Sequence, residues 1–419
     1  MFLLLPAFAQ TKSLLSQSTS GLYRDPIDFA WEPASLGNQE GAYVLGTLAG
    51  RSPGVGLGTI RPFGPGQLAV WVEGNGASVR NDASATVEGA TNGALEGSAL
   101  TGGQLWLAWG NGKAGVALGT RGAYDGATAT ARFYDTPTLG ESPYDDDTDT
   151  GLYTQVALRQ DLVIGFLLGD TEIDLLYRYE LSRPYVAASL SQANQRFETK
   201  GMWEESTFVD NHMGHGGGVR LDSTIDDTLR VLVEVRVGAW EPSSASLIDI
   251  LEVDGETVYR RDLERIDARA VNAQATALVA RHHELDRVEL RYGVGLSGWT
   301  TAGGWKERTT LYEGDETTVT DREHLGRWSA LSVSLPAAAW VPVNDRLSLF
   351  VAGNAGFSTV SSTESFLVTG GDGEDRFTGE NGTYRQATLG MRFTPSPQLN
   401  LDVATTNLDH LAVSGVWRF

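Results

Sequence analysis

The chain ends in HLAVSGVWRF, His410 to Phe419. Leu411, Val413, Gly415, Trp417 and Phe419 share one parity; Ala412, Ser414, Val416 and Arg418 share the other. A period of two marks a strand, with one face for an apolar medium and one for something more polar. A strand that ends with the chain has no later partner. It must pair with its predecessor and, in a closed sheet, with the first strand.

Composition narrows the setting. The 419 residues carry a net charge of -21, with 50 Gly, 11 Trp and no Cys. Without cysteine there are no disulfides and no thiolate metal sites. The acidity argues against nucleic acid, because phosphate binding wants a basic surface. No apolar run approaches the ~18–20 residues of a membrane helix. A chain of this kind that crosses a bilayer does so as strands. At the N-terminus, MFLLLPAFAQ places Ala7-Phe8-Ala9 before Gln10, an A-x-A cleavage pattern. Residues 1–9 are read as the remnant of an export signal whose basic part is missing; the alternative is an apolar tail.

Connections between strand-like segments come in two kinds. Ser223–Asp227, His282–Asp286, Val341–Asp345 and the TPSPQ run from Thr394 are short. Gly122–Asp149, Glu198–His212, Glu241–Arg261, Thr300–Arg327 and Ser358–Gly382 are long, polar and mostly acidic. Their alternation predicts an all-β, antiparallel transmembrane β-barrel, with short periplasmic turns and long acidic extracellular loops. The faces agree. Leu229, Val231, Val233, Val235 and Val237 oppose Arg230, Glu234 and Arg236; Val288, Leu290, Tyr292, Val294 and Leu296 oppose Arg287, Glu289 and Arg291. Leu347, Leu349 and Val351 oppose Arg346 and Ser348, and Leu389, Met391 and Phe393 oppose Gln386, Thr388 and Arg392. In lipid every backbone group must be paired, so such a sheet has to close.

About eighteen segments are legible from near Ala42 onward, and an even number from 14 to 18 is expected. The hairpins near Gly54–Val72 and Asp161–Tyr179 are the weakest. Asn75–Gly103, of low complexity, is one loop or two more strands. Residues 10–41 hold no convincing strand and are read as a periplasmic arm or plug before a barrel at 42–419. Trp240, Trp299 and Trp328 sit at loop ends, Trp340 and Trp417 at turn ends, the heights of interfacial girdles. Strict parity nevertheless turns Trp240 and Trp299 inward.

The last ten residues resemble the C-terminal assembly signal of bacterial outer-membrane barrels, carried here by Leu411, Val413, Trp417 and Phe419. The stretch WEPASLGNQEGAYVLGTLAG is similar to the Asn-Pro-Ala segment that leads into the first strand of fatty-acid-transporter-type (FadL-type) barrels and their secretion-associated relatives. Pro33, Ala34 and Leu36 match, and Glu32 stands where that family usually has Asn. The resemblance implies a Gram-negative outer membrane, a fourteen-stranded barrel, an N-terminal hatch and passage of hydrophobic substrates. It also implies outer-membrane lipid, lipopolysaccharide and the barrel-assembly machinery as partners.

Sites of chemistry are few. Gly370, Gly371, Asp372, Gly373, Asp375 and Phe377 fit a single calcium-binding nonapeptide, but such sites are built between stacked copies, and with one copy the stretch is read as an acidic, glycine-rich outer loop. DDDTDTG from Asp145 misses the EF-hand pattern at Thr150. His212 and His215 lack a third ligand nearby. Gly50, Ser52 and Gly54 match a nucleophile elbow without its helix. No enzyme, metal or cofactor is expected. The informative constellation is the inner face: Arg178, Glu180, Arg230, Glu234, Arg236, Arg265, Asp267, Arg269, Arg287, Glu289, Arg291, Arg346, Arg392 and Asp402. A charge facing lipid at the midplane costs ~2–4 kcal/mol for Arg or Lys, so these belong inside. The strand Leu263–Arg281 switches parity, which predicts a bulge near Ala270-Val271. Two functions fit such a wall: a channel or transporter for passive or hatch-gated passage of small solutes or hydrophobic molecules, or a closed, salt-bridged barrel that docks other cell-envelope proteins.

Overall fold

A computed structural model of the protein describes residues 22, 29–39, 43–49, 54–79, 90–94, 98–135, 147–192, 202–210, 212–240, 243–253, 256–313, 316–368, 374–407 and 410–419. Apart from Leu22 and the stretch 29–39, which carries a 3-10 turn at Ser35–Asn38, they are nearly all strand. The segments are β1 (Tyr43–Ala49), β2 (Gly54–Phe63), β3 (Gly66–Val79), β4 (Ala90–Ala94), β5 (Ser98–Gly110), β6 (Ala114–Asp135) and β7 (Asp147–Leu168). There follow β8 (Thr171–Gln192), β9 (Met202–Asp210), β10 (His212–Thr224), β11 (Leu229–Trp240), β12 (Ser243–Val253) and β13 (Glu256–Leu285). The chain closes with β14 (Val288–Glu313), β15 (Glu316–Asn344), β16 (Leu347–Val368), β17 (Glu374–Ser396), β18 (Leu399–Thr406) and β19 (His410–Arg418).

Three couples are collinear. β4 and β5 both lie along β6, β9 and β10 along β8, and β11 and β12 along β13. The segments therefore make sixteen antiparallel strands. That number lies inside the expected even range, below the eighteen segments read from the sequence and above the fourteen that the resemblance implies. Each strand pairs with its neighbours in the chain, and the ladder returns to its start because β1 pairs with both β2 and β19. Val233, Val235 and Val237 are about half exposed on the outside, as are Val294, Leu296, Leu349, Val351, Leu389 and Met391. Arg230, Glu234 and Arg236 alternate with the first set and point in. This outward aliphatic belt around a closed sheet is what a bilayer demands.

One end of the barrel is built of tight turns. Gly64, Gly112, Gly169 and Asp286 adopt positive φ there. Asn111, Asp226 and Asn344 each accept two backbone N–H groups through Oδ1. These Asx turns close the connection with no help from the rest of the fold. Phe419 lies at this same end, since Arg418 pairs with Tyr43 at the start of β1.

The opposite end corrects the sequence reading. Thr300–Arg327 is not an irregular loop: β14 and β15 continue as a paired hairpin up to Glu313 and Glu316. Ser358–Gly382 and Glu241–Arg261 are likewise largely strand. A tilted strand needs ~9–11 residues to cross a bilayer, whereas β13, β14 and β15 run for 30, 26 and 29. Their outer halves stand beyond it. There no apolar face is required, so the polar pattern looked like loop. Asn75–Gly103 contributes the end of β3, β4 and the start of β5.

Candidate functional site: a segment seated in the barrel

The stretch 29–39 belongs to no sheet and lies inside the barrel near the turn end. Phe29, Ala30 and Leu36 are buried together with Ile60, Ala69, Trp71, Trp106, Ala117 and Val163 of the inner wall. Trp31 tilts against Trp106, with ring centroids 5.5 Å apart, and the Arg236 guanidinium lies 4.9 Å from the Trp31 ring. Leu22 is seated on the far wall against Leu278, Ala280, Ala338 and Ala352, and Arg291 donates to its carbonyl at 3.0 Å. The leader to β1 thus touches both sides of the lumen.

Glycine makes room for it. Gly110, Gly115 and Gly165 stand side by side in register on β5, β6 and β7. A Cβ on Gly110 would lie 1.9 Å from the Pro33 carbonyl oxygen, and one on Gly165 3.1 Å from Pro33 Cγ. Gly112, at φ +80, donates its N–H to the Ala34 carbonyl at 3.2 Å.

Charge then fastens it. Glu32, buried, accepts from Arg220 Nη2 at 2.5 Å and lies 4.0 Å from Arg230. Arg220 also reaches the Trp31 carbonyl, Asp174 and Asp222. Arg230 is bonded to Asp222 at 2.5 Å. On the other side of Pro33, Glu172 Oε1 accepts from the backbone N–H of Ala34 at 2.9 Å, and its second oxygen takes the Ser35 hydroxyl. Three carboxylates, Glu32, Asp174 and Asp222, thus meet two guanidiniums on the floor of the barrel with Glu172 beside them, in a largely buried site where breaking such a pair costs ~3–5 kcal/mol.

Above this floor a second polar array climbs the wall. Glu73 accepts from Gln104 Nε2 and Trp71 Nε1; Arg121 donates to Gln104 Oε1 at 2.8 Å. Asp161 bridges Arg159 at 2.8 Å and Arg178 at 2.7 Å, and Glu180 pairs in register with Arg159. Arg236 is bonded to Glu234.

The structure distributes the predicted wall residues unevenly. Arg178, Glu180, Arg230, Glu234 and Arg236 point inward on β8 and β11. Glu289 and Arg291 form a pair at 2.6 Å near the turn end. Arg392 holds Asp402 through two bonds of 2.7 and 2.8 Å, with its guanidinium 4.8 Å from the Trp340 ring. Four residues depart. Arg287 and Arg346 are exposed turn residues, one position beyond the ends of their strands. The β13 bulge falls between Ile266 and Arg269, earlier than expected, with Asp267 at φ 55. That insertion leaves Asp267 exposed at the kink and turns Arg269 to the outer face, in register with Gly304. Arg265 pairs in register with Glu307; its side chain lies outside the described part.

Other candidates are placed as follows. Trp417 and Phe419 are half exposed on the outside and 5.4 Å apart, Val413 is half-buried, and the Leu411 side chain is not among those described. Asp372, Ser52 and Asp145 lie outside the described residues; Asp375 pairs in register with Ser365. His215 faces outward and shares a hydrogen bond with Tyr177 at 2.8 Å. Sequence reading missed Glu32 as an ion-pair partner, along with Asp161, Glu172, Asp174, Arg220 and Asp222. Arg220 and Asp222 did carry a signal, alternating with Val219 and Leu221 just before a turn.

No family model matches the chain, and no curated protein matches it in sequence. Among solved structures it is similar to the toluene transporter TodX of P. putida, with TM-score 0.42 and 11% identity over 96% of this chain and 97% of that one. The Ralstonia pickettii toluene transporter TbuX aligns with TM-score 0.38 and 10% identity over 96% and 97%. The ferric yersiniabactin uptake receptor FyuA of Yersinia pestis gives 0.35 and 10% over 90% and 80%. At these identities and scores, none bears on what this chain carries.

Proposed function

We propose that this protein is a hatch-gated transporter of a bacterial outer membrane, with the turn end in the periplasm and Leu22 and residues 29–39 as the described part of its hatch. The observation that supports it is the attachment of the leader. It fills the turn end of the lumen yet adds no strand to the sheet, so it can leave without opening the barrel. Its hold is a few ion pairs and hydrogen bonds around Glu32, Pro33 and Ser35, the Arg291 bond to the Leu22 carbonyl, and two apolar patches, one around Phe29 and Leu36 and one around Leu22. The reading assigns no catalytic step.

Planar bilayers test this. Full-length protein is expected to be silent, and a variant lacking residues 10–39 is expected to conduct steadily. A hatchless barrel that folds, by its heat-modifiable mobility on a gel, and still passes no current would defeat the reading. It would favour a closed barrel that docks other envelope proteins.

A further inference from the structure

The inner wall of the barrel has two chemistries. On β3 to β11 it is lined by carboxylates and guanidiniums. On β13 to β15, from the height of Ala280 and Gly293 up to that of Trp305 and His324, the described inward side chains include no Asp, Glu, Lys or Arg. They are Ser, Thr, Asn, Gln, Ala and Gly, with Leu278, Pro336 and His324, interrupted by tryptophan. Trp299 stands in register with Gln274, and Trp328 with Thr301 and Ser362. Trp305 stacks on His324 with centroids 4.7 Å apart and planes at 11°. Gly303 and Gly326 face each other between these rings. A Cβ on Gly326 would come 2.2 Å from the Trp328 ring, so that ring leans over the glycine toward the outer mouth.

From this we infer that the β13–β15 wall is a binding track for a neutral oligosaccharide, entering from the outer mouth. The inference rests on the transporter reading and supplies its substrate class. Sugar rings present apolar C–H faces and an edge of hydroxyls. An indole face packs against the first, and amides and hydroxyls, which both donate and accept, satisfy the second. From Trp299 to Trp305 the track covers roughly 20 Å at about 3.3 Å per residue, the length of a short oligosaccharide. The charges that adjoin the track are already engaged: Arg236, in register with Gln274, is bonded to Glu234, and Glu307 lies 3.4 Å from His324. A purely apolar ligand leaves Gln274, Asn272 and Thr301 without partners, which is costly once water is displaced.

Calorimetry on the full chain tests this, in amine-oxide micelles because sugar-headed detergents compete. The probes are maltohexaose, cellohexaose and chitohexaose, with toluene as the apolar contrast. At least one oligosaccharide is expected to bind, and Trp299→Ala and Trp328→Ala should each weaken it by roughly tenfold or more. Gln274→Leu should weaken the oligosaccharide similarly and leave toluene unaffected. Heat-modifiable mobility confirms that each variant is folded. No binding by any of the three up to ~10 mM, or binding that Trp328→Ala and Gln274→Leu leave unchanged, would overturn the inference. The transporter reading fails separately: it is lost when the hatchless barrel is silent, whatever the calorimeter reads.

Discussion

Pro33 rests on Gly115 so closely that a Cβ on the glycine would stand 2.3 Å from the Pro33 carbonyl carbon. The contact joins the leader to the wall at a point where neither backbone has room to yield. Gly115→Ala should therefore dislodge residues 29–39 while leaving β6 intact, since alanine is well tolerated in a strand with ordinary φ. The variant is expected to conduct where the parent is silent. In a background lacking residues 10–39 the same substitution should change neither conductance nor unfolding midpoint. A loss of stability in that background would show that the glycine serves the wall and not the leader.

Arg220 is the hub of the floor, touching Glu32, Asp174 and Asp222. Arg220→Met removes the shared cation, leaving buried Asp174 without its ion pair and Glu32 and Asp222 with Arg230 alone. Urea unfolding in micelles, followed by tryptophan fluorescence, should show a loss of about 3–5 kcal/mol. Glu32→Gln keeps the shape and two of the three pairs, so its loss should be clearly smaller. Equal losses would mean that the pairs do not share one hub.

Sidedness is accessible because the chain has no cysteine. Glu316→Cys, at the tip of the β14–β15 hairpin, should react with a membrane-impermeant maleimide on intact cells. Asp345→Cys, in the turn at the Phe419 end, should react only after the outer membrane is breached. Labelling of the Asp345 position on intact cells would reverse the orientation and place the hatch outside.

The turn residue Asp226 accepts hydrogen bonds from the Thr228 hydroxyl and N–H and from the Leu229 N–H, which hold its carboxyl below the usual range. A group depressed in the folded state stabilises above its unfolded pKa, and that contribution fades as pH falls through the folded value. Asp226→Asn should therefore lower the thermal midpoint at neutral pH, and the gap between variant and parent should close as pH falls through and below the ordinary carboxylate range. A gap that stays constant with pH would rule out the carboxylate as its source.

What was legible from sequence follows from range. On β11, alternating valine and charge showed which side faced lipid, because a strand in a bilayer has no third option. The chain end at Trp417 and Phe419 carried the same information. The outer halves of β14 and β15 lost that signal, since a hairpin in water holds by its backbone and tolerates polar residues on both faces. Arg287 and Arg346 were misplaced by a single residue at a strand end, and Arg269 by a bulge only a few residues from its predicted place. The floor was beyond reach for another reason. Glu32 and Arg220 are 188 positions apart, and nothing local in either stretch names the other.

The seam between β1 and β19 has a kinetic meaning. Elsewhere in the ladder each strand pairs with its neighbour in sequence and can be laid down one hairpin at a time. The pairing of Leu45 with Val416 joins positions about 370 residues apart. For a flexible chain, closure over that span costs about 5 kcal/mol beyond a constant, by the logarithmic loop law. Little in the seam itself repays it: seven register pairs, one of them Gly46 opposite Gly415. The growing sheet is therefore expected to linger open at this one edge and to close last, with the chain's two ends brought together by something other than their own attraction.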